Sequence, residues 1–273
     1  MTSSRKTEHP KKYALVTGGS SGIGASFARA LAARGHHVLI VALDDDHLYR
    51  TRQEITENYP VSCEVFGINL AGEHAATEIS KWISDHQFSI NILINNAGIG
   101  SKEVFENIET DFYRKQLMVN VVNTVLLTRL LVENLKDSGP SYILNMGSLG
   151  GFFHIPEKVS YVASKAFIHS FSKSLRYELE PEGIHVVLLC PGGIISNENT
   201  KMIISELKGI ARKSVLDSEE LADIALNRMF AGDRIIIPGL LNKSFYHIQR
   251  LLPGSVKSLV IKHQFARKSK YKM

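Results

Sequence analysis

Seven short apolar runs, each parted from the next by enough residues for a helix, organise this 273-residue sequence. They are Tyr13–Thr17, His37–Leu43, Val61–Ile68, Ile90–Asn95, Ser141–Met146, Ile184–Cys190 and Arg234–Ile237. His37–Leu43 is almost continuously apolar, the pattern of a strand buried on both faces rather than one. Between the runs the period becomes helical: Ile23, Phe27, Ala30 and Leu31 follow the first strand, and Gly35 ends that helix as a C-cap. Further helices are predicted over about 46–58, 75–86, 112–136 and 159–180. Asp217-Ser218-Glu219-Glu220 resembles a capping box that opens one more. Strands alternating with helices at this spacing predict an α/β fold, a parallel seven-stranded sheet with helices on both faces.

A single domain over 13–239 is expected, preceded by a disordered tail at 1–12 and followed by a helical extension at 240–273. The charge is uneven. From Leu240 onward there are eight Lys and Arg and none of the 27 acidic residues, so the net charge of +5 resides in the extension. The slightly acidic body argues against a broad nucleic-acid-binding face. Cys63 and Cys190 lie in strand-like apolar runs and read as buried reduced thiols. No Cys-x-x-Cys or His-Glu-x-x-His spacing occurs among the 11 histidines, so no metal site is expected. The N-terminal residues lack the apolar core of a secretory signal, and no segment approaches the ~18 uninterrupted apolar residues of a membrane span. The expected location is cytoplasmic.

In open parallel sheets ligands bind beyond the carboxyl ends of the strands. The motifs fall there. Thr17-Gly18-Gly19-Ser20-Ser21-Gly22-Ile23-Gly24 joins the first strand to its helix, and glycine there lets a pyrophosphate approach backbone N–H groups at the helix N-terminus. Asn95-Asn96-Ala97-Gly98 ends the fourth strand, Ser148 follows the fifth, and Pro191-Gly192 follows the sixth. Tyr161 and Lys165, four apart, share a helix face. A phenol has an ordinary pKa of about 10. A neighbouring ammonium lowers it, so the pair is a tunable acid and base beside the Ser148 hydroxyl.

Together with Asn120, these motifs resemble the short-chain dehydrogenase/reductase family over about 13–237. The resemblance implies a doubly wound Rossmann domain, a nicotinamide cofactor (NAD or NADP), and hydride transfer to or from a carbonyl carbon. It implies that Tyr161 is the acid and base, that Lys165 lowers its pKa and holds the nicotinamide ribose, and that Ser148 binds the substrate oxygen. Asn120 would sit in the proton relay, keeping a helix kinked around a water. Gly18, Ser20, Ser21, Gly22, Ile23 and Gly24 would hold the dinucleotide, with Asn69 and Leu70 at the adenine. Asn95, Ala97 and Gly98 would line the crevice, and Pro191, Gly192, Ile194 and Ser196 would flank the nicotinamide. Ser196 replaces the family's usual threonine and keeps the hydroxyl.

Two departures bear on the cofactor. The acid that selects NAD in this family is absent at Ala42, and no basic residue that selects NADP stands at Leu43 or Ser21. Asp44 could reach the ribose, and the Asp44–Asp46 acids oppose a phosphate, which favours NAD. Equally, these acids serve to cap the next helix. Asn69 stands where the family commonly has aspartate, and its amide oxygen can accept the same hydrogen bond.

Substrate choice is expected to rest on residues 150–158, which include Phe152, Phe153, His154 and Ile155, and on the polar segment at 197–215. In the extension, Leu241, Phe245, Ile248 and Leu252 make one stripe, with Lys243, His247 and Arg250 facing elsewhere. Such a stripe more commonly packs on its own domain or on a partner subunit. It also suits a peripheral contact with an anionic membrane, here the inner membrane surface. This ending resembles a bacterial branch of the family whose relatives include reductases of long-chain ketones and ketoacyl lipids. A small-molecule carbonyl or alcohol substrate, preferably apolar, and a homodimer or homotetramer are expected. The competing readings are a cofactor-binding regulator without catalysis and a membrane-surface scaffold.

Overall fold

Each apolar run forms a strand, and the chain winds in the order the periodicities predict. The computed structural model describes residues 11–195, 214–251 and 253–255. The elements are β1 (Lys12–Thr17), α1 (Gly22–Ala33), β2 (His37–Ala42), α2 (Asp46–Asn58), β3 (Cys63–Gly67), α3 (Ala75–Asp85) and β4 (Ser89–Asn95). There follow α4 (Thr110–Leu117), α5 (Asn123–Asp137), β5 (Ser141–Met146), α6 (Val159–Leu179) and β6 (Ile184–Leu189). The chain then gives β7 (Ile194–Ile195), β8 (Leu216–Asp217), α7 (Ser218–Phe230), β9 (Ile235–Ile236) and α8 (Leu240–Leu251). Seven strands pair in the order β3-β2-β1-β4-β5-β6-β9, every neighbour parallel. β7 and β8 pair separately.

Side chains alternate across the strands into two cores. Ala14, Val16, Val38 and Ile40 meet Phe27 and Leu31 of α1 with Leu226 and Met229 of α7. Tyr13, Leu15, Leu39 and Val41 meet Ile79 and Ile83 of α3 with Leu127, Leu131 and Leu135 of α5. Fully burying one such aliphatic or aromatic side chain is worth about 1.5–3 kcal/mol, so the two faces hold the sheet from both sides. Gly35 closes α1 as expected. At φ +82° its N–H reaches Ala32 O (2.9 Å) and the His36 N–H reaches Leu31 O (3.1 Å), the paired bonds of a Schellman motif.

Three expectations change in detail. The helix over 112–136 is interrupted by a π turn at Met118–Val122, between α4 and α5, with Asn120 at its centre. By length and composition Thr110–Asp137 is the one helical stretch, among the described residues, able to cross a membrane. Leu127, Leu131 and Leu135 are nevertheless buried against the sheet, which makes it a core helix. The stripe on α8 packs on its own domain only in part among the described residues: Leu241 is 38% exposed, and the Phe245 ring lies 6.1 Å from that of Phe153. Asn242 and Tyr246 face inward, while Phe245 (63% exposed), Ile248 (56%) and Leu251 (84%) face out. Leu252 lies outside the described residues, as do most of the 197–215 segment and the chain beyond 255.

Candidate active site

Strand order reverses between β1 and β4, so the loops leaving them diverge and open a crevice of about 770 Å³. Its wall contains Gly18, Ser20, Ser21, Gly22, Ile23 and Gly24 from the first loop, and Asn69 and Leu70 after β3. Ala97 and Gly98 follow β4, Ser148 follows β5, Tyr161 and Lys165 come from α6, and Pro191, Gly192 and Ile194 follow β6. Most of the expected residues therefore converge on one site, Asn95 and Asn120 excepted. Ser196 lies outside the described residues.

The first loop fits an anionic group. Gly18 (φ +66°) and Gly22 (φ +53°) adopt the left-handed conformation that glycine takes freely. A Cβ on Gly24 would lie 2.0 Å from Gly18 O, so only glycine permits this closeness. The Ser21 side chain makes no cap at the start of α1, and no acid stands in the first turn. The orphan N–H groups and the positive end of the helix dipole thus lie at the crevice wall, as a dinucleotide pyrophosphate requires.

Some expected contacts fall elsewhere. Asn95 is buried and does not line the crevice; its Nδ2 donates to Asn145 Oδ1 (2.8 Å) and Thr128 Oγ1 (3.0 Å) beneath the sheet. A one-residue alternation at the strand end turns Asn96 to the wall instead, where its Nδ2 donates to Thr17 O (2.9 Å) and Gly18 O (3.2 Å). Asp44 is not on the wall. Its carboxylate accepts from Tyr49 Oη (2.7 Å), and its side chain packs over Gly67. Asp45 caps α2 through the N–H groups of His47 (3.0 Å) and Leu48 (3.2 Å), the capping role that its position allowed. Asn69 lines the crevice, with its Oδ1 accepting from Ala71 N–H (2.9 Å) in a local turn.

Asn120 stands one layer behind the wall. Its Oδ1 accepts from Ile99 N–H (2.8 Å), while its Nδ2 donates to Ile99 O (3.0 Å) and Ser164 Oγ (3.1 Å). Ser164 Oγ in turn donates to Tyr161 O (2.7 Å). The π turn carries the side chain that ties the loop after β4 to the turn of α6 bearing Tyr161.

At the crevice end the Ser148 hydroxyl, whose Oγ accepts from the Gly150 N–H (3.0 Å), acts on the Tyr161 phenol in the direction of the phenolate, but burial outweighs it and holds Tyr161 above its ordinary value. Lys165 is 4% exposed, and its Nζ donates to Met146 O (2.8 Å) and lies 5.9 Å from the centre of the Tyr161 ring. Burial lowers the Lys165 pKa to about 8. The expected lowering of Tyr161 by Lys165 is therefore not seen in this structure. The ammonium faces a carbonyl and the ring rather than the hydroxyl, and both groups pay for desolvation. Motif spacing could not reveal that balance. Sequence reasoning also missed Asn242, whose carboxamide fills the space that a Cβ on Gly192 would occupy, and Lys115 and Lys158 on the wall.

The short chain dehydrogenase family model matches residues 12–206. A very-long-chain 3-oxoacyl-CoA reductase of Meyerozyma guilliermondii is 32% identical over 65% of this chain, which spans about half (55%) of that relative's length. Among solved structures, a bulky-bulky ketone specific alcohol dehydrogenase from Comamonas testosteroni is 28% identical, covering 89% of this chain and 95% of that one, with a TM-score of 0.74. A short-chain dehydrogenase from Sphingobium yanoikuyae in complex with NADPH is 25% identical over 89% of this chain and 97% of that one, also at 0.74. The match runs from β1 past β7 and takes in the glycine turn, Ser148, Tyr161 and Lys165, so the chain belongs to the short-chain dehydrogenase family, the NAD(P)-dependent oxidoreductases of CH–OH groups.

Proposed function

We propose that this chain interconverts a ketone or aldehyde and its alcohol on an apolar or lipid-like substrate, with Tyr161 as proton carrier. The convergence of Ser148, Tyr161 and the buried Lys165 ammonium on one crevice wall, with the Ser148 hydroxyl biasing the Tyr161 proton, carries the reading. Bound nicotinamide would supply or accept the hydride. The chain's residues manage the proton. In the reducing direction Tyr161 gives its phenolic proton to the oxygen that gains charge, and Ser148 donates a hydrogen bond to that oxygen. Lys165 does not lower the pKa of the resting phenol, but its ammonium, held by Met146 O over the ring, is positive charge available to the phenolate as that forms. A regulator that binds cofactor without turnover has no use for this arrangement, which ranks it second.

An apolar substrate is supported by a second cavity of about 530 Å³, lined by Phe152, Phe153, Ile155, Val159 and Val162, from the segment that follows Ser148 and the first turns of α6. The ketone and 3-oxoacyl-CoA substrates named for two relatives agree with it. For the cofactor, the proposed contacts are those of the crevice wall together with Ser196. The Asp44–Asp46 acids stand at the end of β2, and the lysines on the described wall (Lys115, Lys158 and Lys165) come from α4 and from in or just before α6. By their charge alone these acids favour NAD(H), although none of them lines the crevice and the Sphingobium neighbour holds NADPH.

Two apolar faces support partners. Leu126 and Leu130 of α5 and Phe167 and Tyr177 of α6 are exposed, which fits a second copy of the chain and a homodimer or homotetramer. On α8 the outward face is apolar, and the extension carries eight basic residues and no acid, which fits an anionic bilayer. Each basic residue at such a surface adds about 1 kcal/mol, so salt-sensitive peripheral binding at the inner membrane surface of a cytoplasmic enzyme follows.

Tyr161→Phe deletes only the hydroxyl, so folding and cofactor affinity are expected to survive while turnover of a ketone panel falls by roughly 10² or more. Near-normal turnover would remove Tyr161 from the proton transfer. Ser21→Asp has two effects of opposite sign. The extended backbone at Ser21 (φ −155°, ψ 169°) suits an N-cap aspartate. The free fold should therefore gain about 0.5–1 kcal/mol while its added charge weakens dinucleotide binding by about tenfold or more. Thermal melts and nucleotide fluorescence read the two, and unchanged affinity would move the pyrophosphate elsewhere. On wild type, the same titration is expected to show NAD(H) at least as tight as NADP(H); a clear NADP(H) preference would mean that the Asp44–Asp46 charges do not govern the choice.

Lys165 binds its proton with a pKa of about 8 in the folded chain, against 10.5 ordinarily. Between those values the unfolded chain holds more protons, so stability rises with pH there, and the charged lysine costs on the order of 3 kcal/mol below pH 8. The melting temperature of wild type relative to Lys165→Met is expected to climb between pH 7.5 and 9.5. A flat difference would show that the ammonium is not desolvated. Finally, light scattering should give a multiple of 30.4 kDa. Wild type should float with anionic vesicles at low salt, less at high salt, and Phe245→Asp/Ile248→Asp should not float. A wild type that floats in no condition would rule out the bilayer.

A further inference from the structure

Tyr161 and Lys165 are followed, one more helical turn along α6, by a third inward residue that the chemistry above leaves unused. His169 is 4% exposed and lies under the loop that carries Ser148. Its Nε2 is 3.5 Å from the Ser148 backbone nitrogen and 3.4 Å from Cys190 Sγ. The loop can come this close because its residues at the ring are glycines. A Cβ on Gly147 would stand 2.9 Å from Nε2, and one on Gly151 would stand 2.6 Å from Cε1. Phe152 covers the ring at 4.1 Å between centroids and itself meets Tyr246 of α8 at 4.8 Å. One imidazole thus joins the Ser148 loop, the chain at Cys190 just before Pro191-Gly192, and, through Phe152, the anchor of α8.

We propose that His169 is a positioning residue for Ser148, holding its backbone N–H so that its hydroxyl is directed at Tyr161. The chemistry suits that task. Ser148 N–H is a donor only, so Nε2 must present its one lone pair, which the Cys190 thiol, a weak donor at 3.4 Å, can only share. Burial, with the nearby Lys173 and Lys165 charges, lowers the His169 pKa to about 4, while burial raises that of the Cys190 thiol to about 12. Both groups are neutral through the working range, so the contact does not switch with pH. Deep packing alone would explain a buried ring. It would not explain two glycines that bring the catalytic serine's backbone onto that ring's nitrogen.

This inference rests on the carbonyl–alcohol reading for its kinetic test. His169→Leu keeps bulk and removes the acceptor, and His169→Gln returns an acceptor at similar reach. On whichever ketone wild type reduces, Leu is expected to lower kcat about tenfold with cofactor affinity unchanged, and Gln to stay within about threefold of wild type. In a Ser148→Ala background the Leu change should cost less than about twofold, because the residue it positions is gone. Equal losses in both backgrounds, or no loss, would overturn the proposal. Should His169→Leu fail to fold, His169→Asn, whose amide is too short to reach Ser148, takes its place with the same expectations. Hydrogen exchange reads the same contact without substrate. Faster exchange over 147–152 in Leu or Asn but not in Gln, with 18–24 unchanged, supports it, and exchange like wild type in all of them refutes it. That arm decides the matter even if no carbonyl compound is turned over, an outcome that would fail the proposed function instead.

Discussion

The two loops at the reversal of strand order are stitched to each other, and the rest of the site depends on that stitch. Thr17 Oγ1 donates to Ile94 O (3.3 Å) and accepts from the N–H groups of Asn96 and Ala97 (both 3.1 Å). Asn96 answers by donating its amide to Thr17 O and Gly18 O. A Cβ on Gly18 would stand 3.0 Å from Ala97 Cα, so the backbones are close to contact. Three hydrogen bonds to one buried hydroxyl, in a region of low polarity, hold more firmly than the same bonds at a surface. The stitch keeps the start of α1 open to the crevice and sets Gly98 between Asn120 and Lys165, where a Cβ would lie 3.4 Å from each.

On that frame the chain places costly groups where each offsets another's cost. A buried ammonium loses hydration worth several kcal/mol, recovered in part through Met146 O and the face of the Tyr161 ring. Burial disfavours the charged form of Tyr161 too, and the Ser148 hydroxyl offsets part of that. Polar residues behind the wall complete the support. Asn120 spans Ile99 and Ser164, and Asn123 Nδ2 donates to Leu70 O (2.5 Å) while its Oδ1 accepts from Ala76 N–H (3.1 Å). These residues fix loops that would otherwise vary, which is how a site gains precision from elements that do not touch substrate.

The sequence by itself determined the architecture and the convergence of the motifs, because strand and helix periods, Gly35 and the glycine turn are local signals with local causes. A residue four positions from another on a helix shares its face in any fold, so Tyr161 and Lys165 were legible. Tertiary structure decided what periods do not contain. Which of Asn95 and Asn96 meets the crevice depends on where the strand alternation stops, and Asp44 turns to Tyr49 and Gly67 because those neighbours come from elsewhere in the chain. His169 gained its place under Ser148 only when two glycines from another loop arrived over it. The outward turn of Phe245 and Ile248 followed from Asn242 and Tyr246 finding partners beside Gly192 and Phe152. The level of the Tyr161 pKa is a sum over burial and partners from separate elements, which no spacing along the chain can express.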